Sequence, residues 1–415
     1  MQVAKRDGRK VLFNREKIRE AILNAFMEVD GEESQYAKDK AREISGYIEN
    51  LGKDLSVEDI QNIVEEKLMG SNRKDVAKAY IIYRNNRSRE RDRNSLLYKN
   101  ITKKLYAQSV ENQNANVDER SFGGRMGAVN SEVMKNYALN YCMSPTVRDN
   151  HINNRSYTHD LDHYAAGDHN CLTIPFDKLL ANGFNTRQTD VRPANSINTA
   201  FQLVAVIFQL QSLQQFGGVS ASHLDWTMVP YVRKSFYKHY KNGLHYIENV
   251  EIEFSNLPPI EELSIEDEIY KKYPKAYQYA VDMTTKETQQ AVEGMYHNLN
   301  TLQSRSGNQL PFTSINYGTC TLPEGRLVIK ALLDGSIKGV GKFHRTSIFP
   351  CGIFQLMKGV NRYPGEPNYD MFQLAMKSTS QRIYPNYANC DWSGNEGYDK
   401  NDPRTYFSTM GKRKL

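Results

Sequence analysis

The chain has 415 residues, 39% hydrophobic and 25% charged, with a formal net charge of +6; that is room for two or three domains of ordinary globular composition. No run of eighteen apolar residues exists, and the N-terminus MQVAKRDGRK is polar at once, so neither a spanning helix nor a signal peptide is read. The five cysteines (Cys142, Cys171, Cys320, Cys351, Cys390) are odd in number, widely spaced and lack a C-x-x-C pair, which argues against a disulfide framework or a zinc ribbon and fits a reducing cytoplasm.

VAKRDGRKVLFN, residues 3–14, reads as a strand, a turn at Asp7-Gly8 and a returning strand. Asn14 stands where a helix N-cap belongs. Ile18, Ala21, Ile22, Ala25, Phe26 and Val29 then recur at three and four, one face of an amphipathic helix. A second helix is expected from Ser56, with Glu58 and Asp59 in its first turn and Ile60, Ile63, Val64 and Leu68 inward. A third covers about 74–84. The basic run YRNNRSRERDRNS, residues 83–95, holds five arginines, but Glu90 and Asp92 interrupt it. It reads as an exposed helix end and not as a nucleic-acid surface.

Lys5, Arg6 and Lys17 cluster near a helix N-terminus, a setting that suits a polyphosphate. V-x-K-R-D-G followed by F-N-x-x-K-I and an amphipathic helix resembles the ATP-cone, a regulatory nucleotide-binding domain of ribonucleotide reductases. The resemblance implies nucleotide contacts at Val3, Lys5, Arg6, Asn14, Lys17, Ile18, Ile60, Gln61 and Arg84. It also implies ATP and dATP as opposing allosteric effectors.

Residues 96–119 read as a polar helix, and ENQNANVDERSFGGRMG after them as a loop. HDLDHYAAGDHNCL places His159, Asp160, Asp162, His163, His169 and Cys171 together, but their spacing is too irregular for a metal site, and none is assigned. Residues 197–216 form a long helix apolar on most sides, stopped by Gly217-Gly218. An amphipathic helix ending at Gly243, an acidic surface helix in IEELSIEDEIYKKY and a polar helix through residues 284–305 follow. QLPFTSINYGT alternates as a half-buried strand ended by Gly318. A helix in LVIKALLDGSIK, a strand at 347–349, a helix up to Pro385 and a loop-rich NYANCDWSGNEGYDKNDPRTYF complete the pattern. Helix–strand alternation with short strands implies an α/β barrel-like core.

HDLDHYAAGDHNCL, FQLQSLQQFGGVSASH, LPFTSINYGT, SIFPCGIFQL and SQRIYPNYANCDWSGNEGYDKNDPRTYFSTMG together resemble the anaerobic, glycyl-radical ribonucleoside-triphosphate reductases over residues 97–411. The fold so implied is α+β/α/β: an ATP-cone over residues 1–95, then the first part of a ten-stranded glycyl-radical α/β barrel over 96–415. In that family a cysteine thiyl takes the ribose 3′ hydrogen and a second cysteine supplies a reducing hydrogen. Cys171 matches the second. The thiyl cysteine belongs to M-G-C-R, whereas this chain reads Met410-Gly411-Lys412-Arg413, with lysine at position 412.

The expectation is therefore an N-terminal portion of the reductase, stopped before the radical cysteine, the zinc cluster and the radical glycine, and inactive alone. The resemblance further implies a ribonucleoside-triphosphate substrate, a homodimer, a radical-SAM iron–sulfur activase and a possible separately encoded C-terminal half. Deoxynucleotide specificity effectors would meet Gln211 and Lys238. The competing expectation is a non-catalytic ATP/dATP-binding regulatory or complementing half-subunit.

Overall fold

The structure, a computed structural model, describes the chain apart from residues 6–8, 94–95, 107–120, 168–170, 216, 251–258, 261, 305–308, 393–396 and 411–415, and apart from the side chains of 88–93. Two compact units form, Met1–Lys103 and Lys104–Leu415.

In the first unit, strand β1 (Gln2–Ala4) pairs antiparallel with β2 (Lys10–Leu12), as the hairpin pattern requires; the expected turn lies outside the described residues. Helix α1 (Arg15–Asp30) starts at Asn14, whose Oδ1 accepts from the backbone N–H groups of Glu16 and Lys17. It buries Ile18, Ile22, Leu23, Ala25 and Phe26. Helix α2 (Gln35–Asn50) was not anticipated. Its signals are present nonetheless: Ser34 caps it, and Ala37, Ala41, Ile44 and Ile48 repeat at three and four. Strand β3 (Leu55–Ser56) lies parallel to β1, giving the order β2-β1-β3. Helix α3 (Val57–Met69) carries the Ser56/Asp59 capping box, which holds the Asp59 carboxyl below its usual range. Helix α4 (Lys74–Arg93) runs well past its expected end, and α5 (Leu96–Leu105) follows. The buried residues of β1, β3 and α1–α4 form one apolar core.

In the second unit, α6 (Phe122–Tyr137) corrects the expected loop: Ser121 caps it, and Gly123, Gly124 and Gly127 lie inside the helix. Then come α7 (Pro145–Ile152), β4 (Leu172–Thr173), α8 (Phe176–Asn182) and a small antiparallel pair, β5 (Phe184–Asn185) with β6 (Asp190–Val191). Helix α9 (Ile197–Ser212) is the expected apolar helix and buries half of its residues. After β7 (Val219–Ala221) and α10 (Leu224–Thr227) comes α11 (Val229–Gly243), extended by a π-helical turn to Glu248. The acidic stretch gives only the single turn α12 (Glu268–Lys271), and α13 (Pro274–Thr301) begins ten residues before its expected start.

Three strands complete the unit: β8 (Thr313–Tyr317), β9 (Cys351–Leu356) and β10 (Asn386–Asn389), separated by α14 (Pro323–Lys338) and α15 (Tyr369–Arg382). The strand expected at 347–349 is displaced to β9, and β10 falls where only loop was expected. β8 is buried on both faces rather than half-buried. The sheet order is β10-β9-β8-β7-β4, and every pair is parallel. Parallel strands joined by helices are covered on at least one side by those helices. Here Val219, Ala221, Ile315, Tyr317 and Phe354 face the helices and join the core of α9, α11, α13 and α14.

Candidate active site and nucleotide-binding residues

The opposite face of the parallel sheet is polar. By strand alternation and register it carries Thr173 on β4, Ser220 on β7, Ser314 and Asn316 on β8, and Gln355 on β9. Cys171, the residue just before β4, is exposed. Over this face runs the segment Phe407–Thr409. Asn316 donates through Nδ2 to Ala221 O and to Thr409 O, both at 2.9 Å, and accepts from Thr409 N–H at 3.0 Å. Gln355 Nε2 donates to Phe407 O at 2.9 Å. Cys390 Sγ lies 3.5 Å from the same oxygen, and burial pushes its thiol up to about 12.

The loops at the carboxyl ends of these strands are fixed by buried polar groups. Asp225, fully buried, accepts from the N–H groups of Gly318 and Cys320, each at 2.9 Å, and of Trp226 at 3.1 Å. Burial raises its pKa, and the three donors oppose that rise. Asn361 and Asn368 donate to Gly318 O, and Asn368 also to Cys320 O, so both sides of this turn are satisfied. His223, just past β7, holds Ser222 Oγ at 2.8 Å from Nδ1, and burial lowers its pKa. Cys320 is buried, and burial raises its thiol far beyond the ordinary range, as for a structural thiol; Cys351 is half-buried. Sequence reasoning missed Asp225, His223, Asn316 and Gln355. The available signal was a polar residue inside an otherwise apolar strand.

In the first unit the expected nucleotide contacts fall into distinct settings. Val3, Ile18 and Ile60 are buried in the apolar core. Asn14 caps α1, Lys5 and Lys17 are exposed, and Gln61 is half-buried. Arg84 donates to Glu65 Oε1 at 2.8 Å and Asn62 Oδ1 at 3.0 Å, which ties α4 to α3. Arg6 lies outside the described residues.

Gln211 and Lys238 do not converge within one chain. Ser235 on α11 accepts from Ile197 N–H at the first turn of α9, and Lys238 follows within one turn. Gln211 stands at the far end of α9, roughly 20 Å along the helix at 1.5 Å per residue. In the histidine-rich stretch His159 and Asp160 pair at 2.5 Å and Asp162 accepts from Ser131, while position 169 and Lys412 lie outside the described residues. Among the described residues no group of three or more His, Cys, Asp or Glu side chains is placed to hold a metal ion, and no helix is long and apolar enough to cross a membrane.

The family model for the anaerobic ribonucleoside-triphosphate reductases matches residues 113–414. The chain belongs to that family. A second family model, the ATP cone domain, matches residues 1–89. The anaerobic ribonucleoside-triphosphate reductase of Haemophilus influenzae is 31% identical over 94% of this chain and 52% of its own length. That of Escherichia coli is 32% identical over 94% of this chain and 51% of its own length. The chain thus spans about half the length of the curated reductases it matches. A solved anaerobic ribonucleotide reductase from Thermotoga maritima, in complex with dATP and CTP, aligns at a TM-score of 0.45 and 14% identity, covering 66% of this chain and 44% of that one. The two reductase-family matches divide the chain as the two compact units do, cone first and sheet second.

Proposed function

We propose that this chain is the nucleotide-binding and ribose-facing part of an anaerobic ribonucleoside-triphosphate reductase, which converts ribonucleotides to deoxyribonucleotides. The observation that carries the reading is the sheet face bearing the amides of Asn316 and Gln355 with the segment Phe407–Thr409 across them, and Cys171 immediately precedes β4 of the same sheet. The five parallel strands are then the first part of a ten-stranded barrel, with the ribose over this face. Cys171 supplies a reducing hydrogen from one side of the sugar. Lysine at position 412 has no thiol, so the thiyl is proposed to form on a cysteine other than residue 412, with the glycyl radical installed by a radical-SAM iron–sulfur activase.

The ATP-cone is proposed to take ATP or dATP through Lys5, Arg6, Asn14, Lys17, Gln61 and Arg84, with Val3, Ile18 and Ile60 as the apolar floor. A specificity effector is proposed to bridge two chains, Lys238 of one and Gln211 of the other, since one chain holds them too far apart. The assembly is placed in the cytoplasm.

The test mixes the purified chain with a C-terminal half and activase, anaerobically, with formate, ATP and CTP. Deoxycytidine triphosphate should form with wild type and not with Cys171→Ala. A mixture in which Cys171→Ala turns over at the wild-type rate would remove Cys171 from the reading. Failure of every wild-type mixture would sink the catalytic role.

A further inference from the structure

The polar face poses a thermodynamic puzzle. Asn316 and Gln355 are fully buried primary amides in the middle of a parallel sheet whose other face packs mainly on the apolar helix core. Burying an amide costs free energy unless all its groups are paired, and Gln355 Oε1 has no hydrogen-bond partner among the described residues. Apolar side chains of the same shape would serve the fold better. What the amides do instead is hold a chain segment that belongs to no strand.

The geometry is specific. Asn316 meets the backbone of Thr409 through two reciprocal hydrogen bonds, N–H to Oδ1 and Nδ2–H to O, as a neighbouring strand would. Its remaining Nδ2 proton goes to Ala221 O on β7, which locks the amide plane. Gln355, one strand over, takes Phe407 O two residues earlier. The two side chains thus imitate a strand edge projecting from the face of the sheet. Outside the face, Trp392 packs on the Phe407 ring and Tyr398 on the Tyr406 ring, 6.1 and 5.6 Å between centroids, and both contacts seat the same segment.

We infer that Asn316 and Gln355 are positioning residues: their amides set the height and direction in which Phe407–Thr409 crosses the ribose-facing side of the sheet. The inference rests on the proposed function for its purpose, since that segment leads into position 412. Its geometry stands on the hydrogen bonds alone. Neither residue donates or accepts a proton in the chemistry; each acts through the backbone it holds.

The test is amide hydrogen exchange of the full chain by mass spectrometry, with the isosteric variants Asn316→Leu and Gln355→Met. Asn316→Leu keeps the heavy-atom branching of the side chain, and both variants remove the amide. Peptides spanning 404–410 should exchange about tenfold faster or more in Asn316→Leu, the factor to which the net worth of one hydrogen bond corresponds. The acceleration in Gln355→Met should be smaller, because one bond to the segment is lost instead of two. Peptides from α9 and α14 should keep wild-type rates. Unchanged exchange at 404–410 in both variants would overturn the inference, because shape alone would then hold the segment. Equal acceleration throughout the second unit would overturn it too, by making the amides ordinary core residues. Exchange reads this positioning whether or not the chain supports turnover, so its failure is distinguishable from failure of the reductase reading.

Discussion

Asp225 has no contact with solvent, and its three hydrogen-bond partners are all backbone N–H groups. Removing the carboxylate leaves those donors buried and unsatisfied, which costs about 1–3 kcal/mol for each group. Asp225→Ala should therefore lose at least about 3 kcal/mol of second-unit stability, read as a lower urea midpoint at unchanged slope. A wild-type midpoint would mean the turn Gly318–Cys320 is held by Asn361 and Asn368 alone. A second residue-scale case concerns pH. The Glu287 carboxyl, 2.7 Å from His239 Nε2, is held below its usual range first by that hydrogen bond and also by the Lys238 charge, against partial burial. A carboxyl lowered on folding contributes stability above its unfolded pKa of about 4.3 and loses it as pH falls through the folded value. Between about pH 5 and pH 3 the wild type should lose more stability than Glu287→Gln; identical pH profiles would contradict this. Local caps such as Asn14 and Ser56 were legible because cap and partner lie within three residues. Asp225 and Asn316 were not, because apart from Trp226 their partners are 93 or more residues away.

At the scale of elements, the helices whose apolar faces repeat cleanly, α1, α3 and α9, were readable from spacing alone. The sheet was harder. A parallel strand buried on both faces loses its alternation signal, so β8 read as half-buried, β9 as starting four residues upstream and β10 as loop. Polar residues within the strands compounded the error, since Asn386 and Asn389 look like turn formers until the sheet is assembled. Helix packing also exposes a constraint that no composition reveals. A Cβ built on Gly243, at the end of α11, would lie 2.9 Å from Ala276 Cα and 3.0 Å from its carbonyl oxygen on α13. Backbone cannot yield as a side chain does, so Gly243→Ala should push the two helices apart. The expected cost is about 1–3 kcal/mol, seen as a lower thermal midpoint of the second unit. A variant as stable as wild type would show that the π-helical turn after Gly243 absorbs the methyl group.

For the whole molecule, the two compact units predict two separable stabilities. The first unit has its own core of β1, β3 and α1–α4, so a Met1–Lys103 fragment should unfold in one cooperative transition. If it is the proposed nucleotide-binding domain, ATP at one hundred times its dissociation constant should stabilise it by about 2.7 kcal/mol. In calorimetry of the full chain the same addition should move one transition and leave the other in place. A fragment that melts without cooperativity, or ATP that moves only the second transition, would contradict the assignment.

The strand order has a bearing on how the protein is made. In the sheet β10-β9-β8-β7-β4, each strand lies beside the one before it in the chain among these five, and all run the same way. Assembly can therefore be vectorial: as the polypeptide leaves the ribosome, every new strand and its helix dock on a single growing edge. No strand has to be inserted between two that are already paired. The segment Phe407–Thr409 then arrives after these strands, at a face whose amide clamp is already built by β8 and β9. Translation order and sheet order coincide, so a nascent chain exposes one unfinished edge at a time.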